Sequence, residues 1–124
     1  MISTQMIGSL GAVLSIALGL FGLIFPHSAA KLIAVQPLGR LGISEIRATY
    51  GGLFIGLGGA CLYLQHPIAY FVGGAAWLGA AVGRLISVGV DASYSSKNIG
   101  GIFLEIVIGT TLVYAASSSF KALQ

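Results

Sequence analysis

The residues from Met6 to Phe25 form a run without a single charged side chain. A helix crosses the hydrocarbon core of a bilayer with about 20 apolar residues, and this run has that length. Only 7% of the 124 residues are charged, whereas a soluble domain has about 25%, so this short chain has more apolar surface than it can bury. The sequence predicts an all-α membrane protein with four transmembrane helices, at about residues 6–25, 45–64, 68–90 and 99–116.

The connections between the predicted spans favour an up-down bundle that forms a single domain over residues 1–124. After Pro26, the segment HSAAKLIAV has apolar residues at helical spacing around one lysine. This pattern predicts a short helix that lies in the membrane interface between the first and second spans. The first span is expected to persist as a helix, because the preceding MISTQ lacks the basic residues of a signal peptide.

The basic residues are distributed unevenly between the two sides of this topology. Only Lys121 falls on the side of the termini and the 65–67 turn, whereas Lys31, Arg40, Arg47 and Lys97 fall on the side of the 26–44 and 91–98 connections. The positive-inside rule then places these connections in the cytoplasm and both termini outside it, in a multi-pass protein of the inner (cytoplasmic) membrane. Because the basic residues are scattered singly, nucleic acid is not expected as a partner.

An arginine and a glutamate lie inside the last two predicted spans at matching depth. Arg84 precedes Asp91 by seven residues, and Glu105 follows Asn98 by seven. Each side chain is therefore roughly 10 Å from the same end of its helix. A lone charge at mid-bilayer costs about 2.5–3.5 kcal/mol, and such residues usually face inward and pair. We therefore expect Arg84 and Glu105 to form an ion pair between adjacent antiparallel helices.

Small residues are expected to provide packing surfaces around this pair. Gly101 and Gly109 flank Glu105 on its own face, which lets a neighbouring helix approach the carboxylate. A second small-residue row lies behind Arg84 on the third span and predicts a close packing seam: Ala75, Gly79 and Gly83.

The second span adds polar residues at the same depth. Glu45 and Arg47 lie about 200° apart around a helix, and Glu45 is expected to face the interior because arginine extends more easily to the headgroups. Tyr50 either lines a pocket through its hydroxyl or anchors the helix at the interface. The stripe that begins at Glu45 continues through small residues: Thr49, Gly52, Gly56 and Gly59. The predicted polar cluster comprises Glu45, Arg47, Tyr50, Arg84, Ser87, Asp91 and Glu105.

Three motifs in this chain resemble a family of small four-helix bacterial integral membrane proteins classed as a domain of unknown function. They are Glu-x-Arg-Ala-x-Tyr-Gly-Gly over residues 45–52, Gly-Arg-x-x-Ser-x-x-x-Asp over residues 83–91, and a glutamate early in the last helix, Glu105. Ser44 stands where an asparagine is common, and Ala92 stands where a glycine is usual. The resemblance covers essentially the whole chain; it implies the fold and the membrane location but no activity.

The polar cluster allows more than one function. Either the ion pair only fixes helix register, or it closes a polar pocket that binds a lipid headgroup or small amphiphile from the cytoplasmic leaflet. We expect a non-catalytic protein that binds a lipid or small amphiphile in such a pocket, or an accessory subunit of a membrane complex. Its expected partners are membrane lipid, further copies of the chain or a larger complex. The alternative is a small ion- or proton-coupled transporter that uses Glu105, although Arg84 is placed to neutralise that carboxylate.

A membrane-embedded enzyme is the second alternative, but the chain has no recognisable catalytic set. His27 and His66 fall on opposite sides of the predicted membrane, and no His, Cys and carboxylate group has metal-ligand spacing. The glycines do not form a loop between a strand and a helix, as a nucleotide-binding fingerprint requires. We therefore expect neither a metal nor a cofactor.

Overall fold

A computed structural model describes residues 2–124, which are 85% helical and contain no strand within that range. The elements are α1 (Thr4–Ile24), α2 (Pro26–Leu32), α3 (Gly39–Arg47), a π-helical turn (Ala48–Gly52), α4 (Leu53–Leu64), α5 (Pro67–Val90) and α6 (Ser96–Ala122). Helices α1, α5 and α6 are long and apolar enough to cross a membrane. The chain therefore has the all-helical, apolar architecture of a membrane protein.

Side chains just before the long helices fix where these helices begin. The Ser3 side chain accepts a hydrogen bond from the Met6 amide, and the Ser95 side chain accepts one from the Asn98 amide. The His66 ring does the same for Ile68 at the start of α5. Such caps satisfy amides that lack a partner in the first helical turn. Helix α6 continues past the predicted end at residue 116, through the serines at positions 117–119, to Ala122.

Two clusters of buried residues hold the elements together. The larger one joins α1, α4, α5 and α6 through Ala12, Cys61, Tyr70, Trp77, Ile108, Leu112, Ala115 and Ala116. The smaller one joins α2 to α3 through Ala29, Ala30 and Ile46. Helix α2 is thereby held beside the end of α1, at the end of the molecule that also has the 91–95 connection. We call this the basic end, because Lys31, Arg40, Arg47 and Lys97 all lie there.

Glycines set the closest helix contacts. A Cβ at Gly58 of α4 would meet the Ala12 carbonyl oxygen and lie 3.1 Å from the Ile16 amide nitrogen of α1. On the other side of the molecule, a Cβ at Gly109 of α6 would lie 2.6 Å from Cγ of Leu78 in α5. Helix α4 thus packs against α1, and α5 packs against α6, whereas α4 and α5 contact each other only sparsely.

Two of the predicted small-residue surfaces are wrong. Ala75 is exposed, and a Cβ at Gly79 or Gly83 would meet no atom within 4 Å. The same holds for Gly56 and Gly59 in the stripe predicted to begin at Glu45. These residues border open space because α4 leans on α1 and leaves α5 uncovered. The predicted glycine flank of Glu105 is confirmed, since Arg84 lies against Gly101 and Leu78 against Gly109.

A π-helical turn lies within the stripe predicted to begin at Glu45. The Leu53 amide donates to the Ala48 carbonyl, five residues back, so the turn accommodates one residue more than an α-helical turn. That residue shifts the positions after the turn by about 100° relative to those before it. Glu45, before the turn, and Gly56, after it, are both exposed, so the stripe faces outward on both sides of the turn.

The α1–α4 contact gives a test with a matched control on the same helix. We expect Gly58→Ala to lower the free energy of unfolding by about 1–3 kcal/mol, because its Cβ would overlap the backbone of α1. Gly56→Ala enters open space and is expected to raise it by about 0.5–1 kcal/mol through better helix propensity. Unfolding in mixed micelles, followed by helical circular dichroism, measures both. Equal stabilities of the two variants would contradict the close α1–α4 packing.

Candidate functional site

Arg84 and Glu105 form an ion pair between α5 and α6. The Nε–H of Arg84 donates to Oε1 of Glu105 at 2.7 Å. The two helices are adjacent, antiparallel and joined by the short 91–95 connection, so residues equally far from that connection come together. The structure thus brings together the two charges whose matching depth the sequence predicts.

Asn98 extends this pair and was not predicted as a site residue. The Nη1–H of Arg84 donates to Oδ1 of Asn98 at 3.1 Å. Nδ2 of Asn98 in turn donates to the backbone carbonyl of Ser93 at 2.9 Å. Asn98 precedes Glu105 by about two helical turns, so both side chains lie on one face of α6. That spacing is the signal in the sequence that identifies Asn98 as a partner of Arg84.

One carboxylate oxygen of Glu105 is buried without a hydrogen bond. Only 9% of the Glu105 side chain is exposed, against 28% for Arg84. Oε2 of Glu105 has no hydrogen-bond partner within residues 2–124. A buried acceptor without a partner costs about 1–3 kcal/mol, and more when it is charged. The pair is therefore a buried polar group with an unused acceptor.

Two cavities meet at this pair. The main cavity, of about 610 Å³, lies between α1, α2 and the start of α6. The side cleft, of about 500 Å³, lies between α4 and α5, where these helices leave each other uncovered. Seven residues line both: Ile33, Tyr50, Phe54, Trp77, Arg84, Asn98 and Glu105.

The lining of the main cavity is divided by chemistry. Its apolar part comes mostly from α1, α2 and α4 and from one residue of α6: Leu18, Phe21, Leu32, Phe54 and Leu104. Its polar part comes from the 91–95 connection and the first turn of α6: Ser93, Ser95, Ser96, Lys97 and Asn98. The Lys97 ammonium donates to the Lys31 carbonyl at 2.7 Å, which holds the start of α6 against α2. The cavity is therefore amphipathic, with its polar part at the basic end.

Trp77 belongs to the core and also lines both cavities. Its Nε1–H donates to Oγ of Ser15 at 3.2 Å, and that hydroxyl donates to the Phe54 carbonyl at 2.8 Å. The Phe54 and Trp77 rings pack with centroids 4.5 Å apart. These contacts tie α1, α4 and α5 together and give the cavities a rigid aromatic wall.

Other predicted site residues lie at the edge of the cluster. Tyr50 is half-buried and lines both cavities, as the pocket interpretation predicts. Ser87 lines the side cleft and donates to Oδ2 of Asp91 at 2.7 Å. Asp91 is exposed at the C-terminal end of α5. Its one side-chain hydrogen bond within residues 2–124 goes to Ser87, so Asp91 lies outside the Arg84 cluster.

The two charges at the start of the second span lie outside the cluster. Glu45 is exposed, so the expectation that it faces the interior is wrong; Ile46 takes the inward position. Arg47 is also exposed, and it donates to the Leu23 carbonyl of α1 rather than extending freely to the headgroups. That carbonyl is in the last turn of α1, where cationic side chains satisfy unpaired carbonyl groups.

The site combines a few charged and polar groups with an apolar wall. It presents a guanidinium, an ammonium, one carboxylate and several hydroxyl and amide groups beside an apolar wall. Within residues 2–124, no group of three or more His, Cys, Asp or Glu side chains is placed to hold a metal ion. Ligand pockets in proteins combine a largely apolar lining with a few polar groups in this way.

The coupling of the ion pair is measurable by a double-mutant cycle. We expect Arg84→Met and Glu105→Leu each to lower the free energy of unfolding by about 3–5 kcal/mol, because each leaves an unpaired buried charge. The double variant is expected to recover most of this loss, since both charges are then replaced by apolar groups of similar size.

The hydrogen-bonded pair Ser87 and Asp91, at the edge of the cluster, provides the control for this cycle. Replacing either residue by alanine is expected to change stability by only about 0.5 kcal/mol. Unfolding curves in mixed micelles measure all the variants. Strictly additive losses in the Arg84 and Glu105 cycle would show that the two charges do not depend on each other.

Comparison with known proteins assigns the fold to a family. No match was found among curated proteins or among solved structures. A family model described as "Domain of unknown function (DUF4345)" matches residues 3–116, which is nearly the whole chain. The resemblance inferred from the sequence to a family of unknown function is thereby confirmed at the level of the family. This chain belongs to the DUF4345 family.

Proposed function

We propose that this chain is a non-catalytic membrane protein that binds a lipid or another amphiphile in the main cavity. The observation that carries the proposal is the amphipathic lining of that cavity, with Arg84, Lys97 and Glu105 at one end and apolar side chains behind them. Its volume of about 610 Å³ lies in the range of ligand pockets, about 300–1,000 Å³. An amphiphile would satisfy both parts of the lining at once.

We further propose that residues 45–64 cross the bilayer as a fourth span, with α2 in the interface. Gly39–Leu64 is helical without interruption through the π turn, and its ends lie at opposite ends of the molecule. Gln65 bonds to Gln5 at one end, whereas Lys97 bonds to the Lys31 carbonyl at the other. The basic end would face the cytoplasm of an inner-membrane protein, with both termini outside it.

The position of the side cleft supports entry from the membrane. It lies between α4 and α5 and is bordered by small or apolar side chains: Leu53, Leu57, Ala76, Ala80 and Gly83. Because seven residues line both spaces, an acyl chain in the side cleft would lie next to a headgroup held near the basic end. An accessory subunit of a membrane complex would use the same site to hold a lipid at the subunit boundary.

A transporter that works through Glu105 is the second candidate. The observation in its favour is the buried Oε2 oxygen, which no hydrogen bond within the described residues satisfies. Arg84 counts against it, because the guanidinium at 2.7 Å neutralises a carboxylate that a proton-coupled site leaves unpaired. Gradient-driven uptake in proteoliposomes that Glu105→Gln abolishes would favour the transporter over the lipid-binding protein.

Filling the cavity tests the proposed function. Gly100 lines the main cavity and a Cβ there meets no atom within 4 Å, so Gly100→Phe is expected to fold and to obstruct the cavity. Gly89 is equally open but lines neither cavity, which makes Gly89→Phe the matched control. Native mass spectrometry after mild detergent extraction measures the lipid retained by each variant.

We expect Gly100→Phe to weaken lipid retention about tenfold, equivalent to about 1.4 kcal/mol, and Gly89→Phe to retain lipid like the unmodified chain. Equal retention by both variants, in protein of normal helicity and thermal stability, would contradict binding in the main cavity.

A further inference from the structure

We infer that the amphiphile bound in the main cavity has a singly anionic headgroup that carries a hydroxyl donor, as in a phosphodiester with a hydroxylated substituent. The inference rests on the proposed function and specifies its ligand. It follows from two independent features of the polar lining, which are its charge and the unused acceptor of Glu105.

The charge of the polar lining is the first feature. Two cationic side chains, Arg84 and Lys97, line the main cavity together with a single carboxylate, Glu105. The lining thus carries one net positive charge, which a ligand would meet at the exposed Lys97 and the half-buried Arg84. The first turn of the 27-residue helix α6 lies at the same place, and its free amides and dipole also favour an anion. A singly charged anionic headgroup completes this balance, whereas a zwitterionic headgroup leaves it incomplete.

The position of the donors fits such an anion. Arg84 directs one N–H to Glu105 and another to Asn98, so its remaining N–H groups have no partner within residues 2–124. Lys97 uses its ammonium on the Lys31 carbonyl and retains further N–H groups. Phosphodiester oxygens accept hydrogen bonds from guanidinium and ammonium groups readily.

The second feature is Oε2 of Glu105. The carboxylate lines both cavities, 9% of its side chain is exposed, and this oxygen has no donor within residues 2–124. Oε2 itself is buried, so a headgroup hydroxyl would supply that donor, beside the anion held by Arg84, when the Glu105 side chain turns toward the cavity. A fatty-acid carboxylate or a phosphocholine headgroup has no hydroxyl to offer, so either would leave Oε2 unsatisfied.

The test uses three lipids with identical palmitoyl and oleoyl chains in nanodiscs of the full chain. Phosphatidylglycerol has one negative charge and hydroxyl donors, phosphatidylmethanol has the charge without a hydroxyl, and phosphatidylcholine has neither. Apparent affinities come from native mass spectrometry of lipid exchange. We expect phosphatidylglycerol to bind about tenfold more tightly than phosphatidylmethanol, since a hydrogen bond to a charged group contributes that much, and phosphatidylmethanol to bind more tightly than phosphatidylcholine.

Two variants separate the two features. Glu105→Gln places an amide N–H at the position of Oε2, which then cannot accept a hydrogen bond. The roughly tenfold preference for phosphatidylglycerol over phosphatidylmethanol is therefore expected to disappear. Lys97 is exposed, and Lys97→Gln leaves Glu105 in place. This variant is expected to reduce the preference for anionic lipids while the preference for a hydroxylated headgroup persists. Lys121→Gln, at the opposite end, is the charge-matched control and is expected to change neither preference.

The outcomes distinguish this inference from the function on which it rests. Equal binding of phosphatidylglycerol and phosphatidylmethanol by the unmodified chain, with both displaced in Gly100→Phe, would overturn the headgroup inference and leave lipid binding intact. If the unmodified chain retained each of the three lipids only as weakly as Gly100→Phe does, the proposed function itself would be overturned. Displacement of the lipid by an equal concentration of soluble glycerophosphoglycerol would show that the site takes the headgroup without its chains, which also contradicts the proposal.

Discussion

The ion pair between Arg84 and Glu105 is the interaction on which the arrangement of the chain depends. Opposite charges within apolar helices are tolerated when they meet, because each alone carries a large desolvation cost. Their contact at 2.7 Å fixes the register of α5 against α6. Asn98 then links the start of α6 to the same guanidinium. The polar part of both cavities is therefore held in place by one set of hydrogen bonds.

Close packing elsewhere creates the open space beside this pair. Gly58 lets α4 approach α1, where a Cβ at Gly58 would meet the Ala12 carbonyl oxygen. A run of helix that leans on α1 in this way cannot also cover α5. This packing of α4 against α1 leaves the side cleft open and leaves Gly79 and Gly83 exposed. The cavities are thus a consequence of which helix pairs pack closely.

Depth along a helix could be predicted from the sequence, whereas the face that a residue occupies could be predicted only in part. Arg84 and Glu105 meet because their depth depends only on the number of residues from the helix end. Glu45 was predicted to face inward in preference to Arg47, but the apolar Ile46 between them takes that position, and both charges are exposed. The packing seam predicted at Gly79 does not form, because a small residue permits close contact between helices but can equally leave an opening. Asn98 was not predicted as a site residue, because its position in the sequence indicated only the start of a helix.

The geometry of the ion pair leaves one carboxylate oxygen of Glu105 without a donor among the described residues. An arginine frequently binds a carboxylate as a bidentate pair, with both oxygens engaged. Here the Nε–H goes to Oε1, the Nη1–H goes to Asn98, and Oε2 has no partner within the described residues. Hydrocarbon supplies no donor for that oxygen. In the proposed site, the donor would come from an amphiphile, whose remaining surface fits the apolar part of the cavity.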